Sequence, residues 1–193
     1  MSAPSEGNRG RGAIFHTFFE VLTRVKGAET YERLLAQLGE HPVVQAHKYG
    51  GIIKGGWYPL DWYRALHEAA WQITRDEQLP YVIGRDSTYD DLTKGFFRFI
   101  FPMISGETMI GLSARFFSKY YEQGNMQVKV IAEGHLEASW DGCTGFDRRI
   151  WQDVFGGCDG ALRAKLAKEV DIKLRNGGRD GFASAKIDAR WSR

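Results

Sequence analysis

The chain has 193 residues, enough for one domain with a buried core. Its 26 basic and 24 acidic residues leave a formal charge of +2, which asks for neither nucleic acid nor an anionic lipid surface, and no apolar run reaches the ~20 residues of a membrane span. Two cysteines, Cys143 and Cys158, lack CxxC spacing; they are too few for a disulfide framework and read as reduced thiols of a cytoplasmic protein, with a single disulfide as the lesser reading.

Residues 1–12 are rich in Ser, Gly and Arg without an apolar core. They are expected to form a disordered tail rather than a signal peptide. A single domain, 13–193, is expected to follow, mainly helical over 13–123 and an antiparallel sheet with one helix over 124–193. From Ala13 to Lys26, Ile14, Phe15, Phe18, Phe19, Leu22 and Val25 recur at offsets of three and four, the stripe of a buried helix face. Gly27 ends it. Thr30 to Leu38 is a second short helix, stopped by Gly39; Val43 to Tyr49 is ambiguous.

Four glycines surround Ile52 and Ile53 between Gly50 and Gly56. They predict a tight, irregular connection. It is not a phosphate loop, because the Gly-Lys-Ser/Thr ending and the strand-plus-acid context of a dinucleotide site are both missing. Pro59 opens a helix to about Thr74, on which Leu60, Tyr63, Leu66, Ala70 and Ile73 make one stripe, thickened by Trp62, His67 and Trp71. Asp86 or Ser87 is expected to cap the next helix, with Leu92, Phe96, Phe97, Phe99 and Ile100 apolar. A further helix, Glu107 to Glu122, turns Met109, Leu112, Phe116 and Tyr120 inward.

The last third alternates with period two. Val128 and Val130, then Leu136, Ala138 and Trp140, then Val170, Ile172 and Leu174, then Ala183 through Trp191 describe strands with one packed and one wet face. A helix from Phe146 to Lys168 divides them. The fold class is therefore α+β, an N-terminal helical part followed by a four-stranded antiparallel sheet built as ββαββ. Gly156-Gly157 in the middle of that last helix costs about 1 kcal/mol per glycine relative to alanine. Something must approach closely there, or the helix is kinked.

No residue pattern announces a reaction. Among the histidines, 16, 41, 47, 67 and 135, none shows metal-ligand spacing. Asp147 and Asp153 read as helix surface, and Arg179 and Asp180 as braces of a hairpin loop. Cys143 in its Asp141–Gly145 turn and His67 on its aromatic face are the only groups offered for catalysis, and a thiol without a placed base is a weak nucleophile. Aromatic helix residues remain. Tyr58, Trp62, Tyr63, His67 and Trp71, with Phe96, Phe99, Phe116 and Tyr120, either fill a core or line an apolar pocket for a small apolar or aromatic ligand.

Five short stretches carry a resemblance: Arg11-Gly12-Ala13-Ile14-Phe15; Trp57-Tyr58-Pro59-Leu60-Asp61-Trp62-Tyr63; Trp140-Asp141-Gly142-Cys143; Gly177-Gly178-Arg179-Asp180-Gly181; and Ala189-Arg190-Trp191. On these, the chain resembles the ligand-binding superfamily of 4-vinyl reductase domains, haem–nitric-oxide-binding domains and vesicle-tethering subunits. More closely, it resembles a myxobacterial family, a domain of unknown function grouped near that superfamily. The resemblance spans nearly the whole chain. It implies a fold, and small-molecule sensing or dimerisation.

It does not carry the family's cofactors. The Tyr-x-Ser-x-Arg signature that holds haem propionates in the gas-sensing members is absent. No histidine lies between His67 and His135, and the multi-cysteine zinc cluster is missing. The expectation is a non-enzymatic binding or sensory module with no cofactor, signalling through a partner or as a homodimer. The alternatives are a scaffolding dimer with a filled core and, behind it, an enzyme using Cys143 or His67.

Overall fold

The computed structural model describes residues 8–94, 99, 103, 105–165 and 168–192. In chain order these form β1 (Arg9–Arg11), α1 (Gly12–Lys26), α2 (Ala28–Leu38), α3 (Pro42–Lys48), β2 (Trp57–Pro59), α4 (Leu60–Thr74), α5 (Leu79–Thr93), α6 (Gly106–Tyr120), β3 (Asn125–Ala132), β4 (His135–Asp141), α7 (Arg148–Lys165), β5 (Glu169–Gly177) and β6 (Ala185–Ser192). The fold is α+β, with helices first and a ββαββ block last.

The block makes one antiparallel sheet in the order β3-β4-β6-β5. Two hairpins, β3–β4 and β5–β6, meet along β4 and β6, where Leu136 faces Ala189 and Ala138 faces Ile187. Every second residue of β4 is buried, Leu136, Ala138 and Trp140. That is the alternation of a sheet with one face on the core. Trp140 packs against Trp151 and Phe155 of α7, with ring centroids 6.2 and 5.8 Å away. So α7, the crossover between the hairpins, seals the sheet.

The two glycines of α7 answer the question their sequence poses. A close neighbour is there, and it is α5. A Cβ on Gly156 would sit 2.9 Å from the Arg85 nitrogen and closer to the Tyr81 carbonyl; one on Gly160 would sit 3.1 Å from the Tyr89 nitrogen. Gly84 of α5 lies equally tight against Asp153. Side chains at these positions would hold the axes apart at the usual 8–10 Å or more.

Several expectations are corrected. Arg9–Arg11, placed in the tail by composition, is a strand paired with Trp57–Pro59. The ambiguous segment is a helix, α3. The glycine-rich connection ends against α1, where the Gly56 and Lys54 carbonyls accept from the Gly12 and Ala13 amides at 2.8 and 3.1 Å. It meets the unpaired donors of a helix start.

Asp86 and Ser87 cap nothing. They lie inside α5, which begins eight residues before Ser87. Asp86 and Asp90 instead flank the Arg24 guanidinium of α1. Asp147 is not helix surface but the cap of α7, its Oδ1 accepting from the Ile150 amide at 2.9 Å. Asp180 accepts from the Arg148 amide at 2.8 Å, so the hairpin loop braces the same helix end.

Candidate functional site

The helical layer does not close completely on the sheet. A cavity of about 150 Å³ lies between α1, α5, α6, α7 and the β3–β4 hairpin. Its walls are small or apolar where these elements meet. Ile14 comes from α1, Leu92 from α5, Met109 and Phe117 from α6, Ala138 from β4 and Ala161 from α7. Small residues on the sheet and on α7 leave space that larger ones would fill. A polar recess of about 240 Å³, with Lys54 and Lys94 on its wall, shares Thr17, Ser87 and Asp91 with the cavity.

At the base of the cavity is a buried polar cluster. Asp153 of α7 is 6% exposed. The Tyr63 hydroxyl donates to its Oδ1 at 3.2 Å and the Tyr121 hydroxyl to its Oδ2 at 3.1 Å. Burial raises this carboxyl to about 7, against the pull of the two donors. Both tyrosines are held well above the ordinary phenol value, by burial first and by Asp153 next. A second pair, the Tyr120 hydroxyl donating to Asp91 at 2.7 Å, lies nearer the recess.

His67 stands behind Tyr63, its Nε2 4.0 Å from Asp153 Oδ1. That is beyond a hydrogen bond, and neither ring nitrogen has a partner. Burial, then the charge of Arg149, lowers it to about 3. It is a neutral ring packed edge-on against Phe18 and Tyr63, not one half of an ion pair.

Of the nine aromatic-face residues, the structure brings Tyr63, Phe116 and Tyr120 to the cavity. The others lie elsewhere or outside the described residues. The Tyr58 hydroxyl accepts from the Ile53 amide and donates to the Gly51 carbonyl, shaping the glycine-rich connection. Trp62 packs on Tyr58. Trp71 is on the outer face of α4, between the Arg75 and Arg149 guanidinium groups. Phe99 is exposed, and Phe96 lies outside the described residues.

Helical period explains the split. Tyr63 is on the inward face of α4, whereas Trp62 and Trp71 bracket it toward solvent. Sequence reading missed Tyr121, Trp140 and above all Asp153. The signal for Asp153 was there: it shares a face with Gly156 and Gly160 at offsets of three and seven, and that face carries the neighbouring helix.

Neither residue offered for catalysis is placed for it. Cys143 has no exposed surface, and burial with Asp141 pushes its thiol up to about 12. His67 is a neutral imidazole near neutrality, not an imidazolium that could act as an acid, and it is fully enclosed. Among the described residues no group of His, Cys, Asp or Glu is arranged to hold a metal ion, and no helix is long and apolar enough to cross a membrane.

No family model matches the chain, and a search of curated proteins finds no relative. Solved structures do match, over almost the whole length. An oxygen binding H-NOX domain related to soluble guanylate cyclases superposes with a TM-score of 0.64 at 14% identity, covering 95% of each chain. The fold is that of the H-NOX domains. A variant of the Tt H-NOX protein reaches 0.68 at 14% identity, again with 95% of each chain covered. A variant Fe(II) unliganded H-NOX protein from K. algicida reaches 0.65 at 13%, over 95% of this chain and 97% of its own. The likeness is one of fold.

Proposed function

We propose that this chain is a non-enzymatic small-molecule-binding or sensory module on an H-NOX fold, taking a small apolar or aromatic ligand directly into the cavity. The observation that carries this reading is the cavity itself. At about 150 Å³ it matches the size at which an apolar protein cavity holds benzene. The H-NOX neighbours, one described as oxygen binding, support a sensory role for such a space. A link to 4-vinyl reductase domains and to the myxobacterial family belongs to the same proposal.

Haem is the group through which solved structures of this fold are described, one of them in the H-NOX family. The residues present do not fit it. Among the described residues the cavity wall has no histidine, lysine or arginine, so propionates within it would face Asp91 and Asp153; the lysines of the adjoining recess, Lys54 and Lys94, stand among Glu20, Asp90 and Asp91. Of the other side chains that ligate haem iron, the thioethers Met109 and Met126 serve beside a histidine, which this wall lacks, and Cys158 is held as a thiol, pushed up to about 12 by burial and Asp159. The three tyrosines donate to carboxylates. The proposed module binds its ligand without haem.

The signal would pass to a protein partner or through self-association. Both outer strands carry exposed apolar residues suited to that, Val130 on β3 and Leu174 on β5. Both cysteines are unpaired, which suits a reducing compartment such as the cytoplasm.

Native mass spectrometry of freshly purified protein, set against its denatured mass, tests the reading. A mass lost on denaturation, or saturable binding of added toluene, is the expected result. A bare chain that binds no toluene would overturn it.

A further inference from the structure

We propose that the ligand of this cavity is a small amine with an apolar, preferably aromatic, body, whose ammonium group pairs with Asp153. The inference rests on the ligand-binding reading of the cavity and adds its chemistry. Three features of the site carry it.

The first is a buried carboxyl without a counter-charge. Asp153 is buried at the cavity wall and receives two phenol hydrogen bonds. Yet among the described residues no lysine, arginine or histidine lines the same space. His67, the nearest base, is 4.0 Å from Oδ1 and sits behind the wall. A buried ionised carboxylate is costly unless paired. Two phenol donors satisfy part of its hydrogen-bonding capacity and none of its charge. A cation brought in by the ligand would complete the pair, and a charge-assisted bond is the stronger kind.

The second is the wall around it. Tyr63, Tyr121, Phe116, Phe117 and Trp140 line the cavity together. Aromatic faces attract ammonium groups, most of all where water is excluded. Aromatic walls with carboxylates, here Asp153 and Asp91, are the chemistry of amine recognition, whereas anion recognition needs the cations this wall lacks. The third is an unmet donor. The Trp140 ring is fully buried and its Nε1–H has no acceptor. An oxygen elsewhere on the ligand would give it one.

The approach is compatible. Asp91 stands where cavity and recess meet, and Glu20 and Asp90 line the recess. Of the two lysines on the recess wall, Lys94 is engaged by Asp90 at 2.7 Å, and Lys54 shares that wall with the carboxylates of Glu20 and Asp91.

Three probes of one shape decide the matter: benzylamine, toluene and benzoate, titrated at pH 8 by calorimetry and saturation-transfer NMR. The expected order is benzylamine at least roughly tenfold tighter than toluene, as a hydrogen bond to a charged group implies, with benzoate not bound. In Asp153→Asn, benzylamine falls to the level of toluene while toluene binding persists. Should that variant fail to fold, the wild-type order still decides. Toluene bound without preference for the amine, or benzoate bound as well as benzylamine, would overturn the amine proposal alone. Failure of all three probes would overturn it together with the cavity reading on which it stands.

Discussion

Gly84 lies directly against the backbone of Asp153: a Cβ at position 84 would be 2.9 Å from the Asp153 Cα and closer still to its carbonyl. The contact seats α5 on α7 and so fixes the depth at which the Asp153 carboxylate meets the cavity. Helix propensity alone favours alanine over glycine by about 1 kcal/mol. Here backbone meets backbone, and nothing flexible can give way. Gly84→Ala is therefore expected to destabilise the fold by about 2–3 kcal/mol, the cost of overpacking, read as a lower urea midpoint. Gly157→Ala is the control. Its Cβ would meet only the Thr88 hydroxyl, at 3.1 Å, and the Gly84 carbonyl, at 3.9 Å. It should be near neutral. Equal effects at the two positions would refute the packing.

Asp153 and His67 give stability opposite dependences on pH. Asp153 titrates near 7 when folded, against 3.8 for an ordinary aspartate. Between those values the folded chain holds a proton that the unfolded chain has lost, so stability falls as pH rises from about 4 to about 7. His67 titrates near 3 against 6.5. Its contribution is present above 6.5 and lost as pH falls toward 3.

Over the shared range the two oppose one another in the wild type. His67→Phe removes one side of the balance, and its stability should decline relative to wild type from pH 4 to pH 7, with a slope of at most about 1.4 kcal/mol per pH unit. Asp153→Asn should show the reverse. Chemical denaturation of the three proteins across pH 4–8 checks both, and difference curves that stay flat would refute the assignment.

The sheet was legible in the sequence because period-two alternation reports one packed face directly: Leu136, Ala138 and Trp140 are inward as their spacing says. The start of α5 was not. Gly84 and the polar run from Arg85 to Asp91 look like a helix beginning. They are instead the interior of a helix with little apolar asymmetry, whose buried side is a glycine contact rather than a leucine stripe. The same blind spot hid Asp153. A carboxylate reads as surface wherever its helix partner is unknown, although Gly156 and Gly160 mark the covered face. Trp62 and Trp71 failed differently. Aromatic content says that a side chain is large, and not on which side of the helix it lies.

Cys143 should be inert in the folded protein. Its thiol is raised to about 12 from 9.0 by burial and by Asp141, its side chain has no exposed surface, and its Sγ lies 3.9 Å from the Asp141 carbonyl, a weak contact only. Reactivity follows the thiolate. At pH 8 a shift of that size alone slows alkylation roughly a thousandfold. Iodoacetamide labelling followed by peptide mass spectrometry should find Cys143 unmodified while an unfolded control is labelled fully. Labelling at the unfolded rate would reopen the reading of this chain as a cysteine enzyme.

Haemin gives the sharpest separation between this chain and a haem protein of the same fold. A haem brings two carboxylates and an iron that needs an axial donor. The described wall offers the carboxylates no cation, and the acids it does contain, Asp91 and Asp153, would repel them. Tyr63 and Tyr121 could turn to iron only by leaving Asp153, and Tyr120 only by leaving Asp91. Each departure strips a hydrogen bond from a carboxylate, at a cost of about 1–3 kcal/mol where the group stays buried. Titration of haemin into the purified protein should therefore give no saturable Soret shift at one equivalent, and protein made in haem-supplemented culture should carry no Soret band after purification. A sharp one-to-one band, lost in Tyr121→Phe, would show that iron outcompetes Asp153 for the phenol and would overturn the haem-free reading.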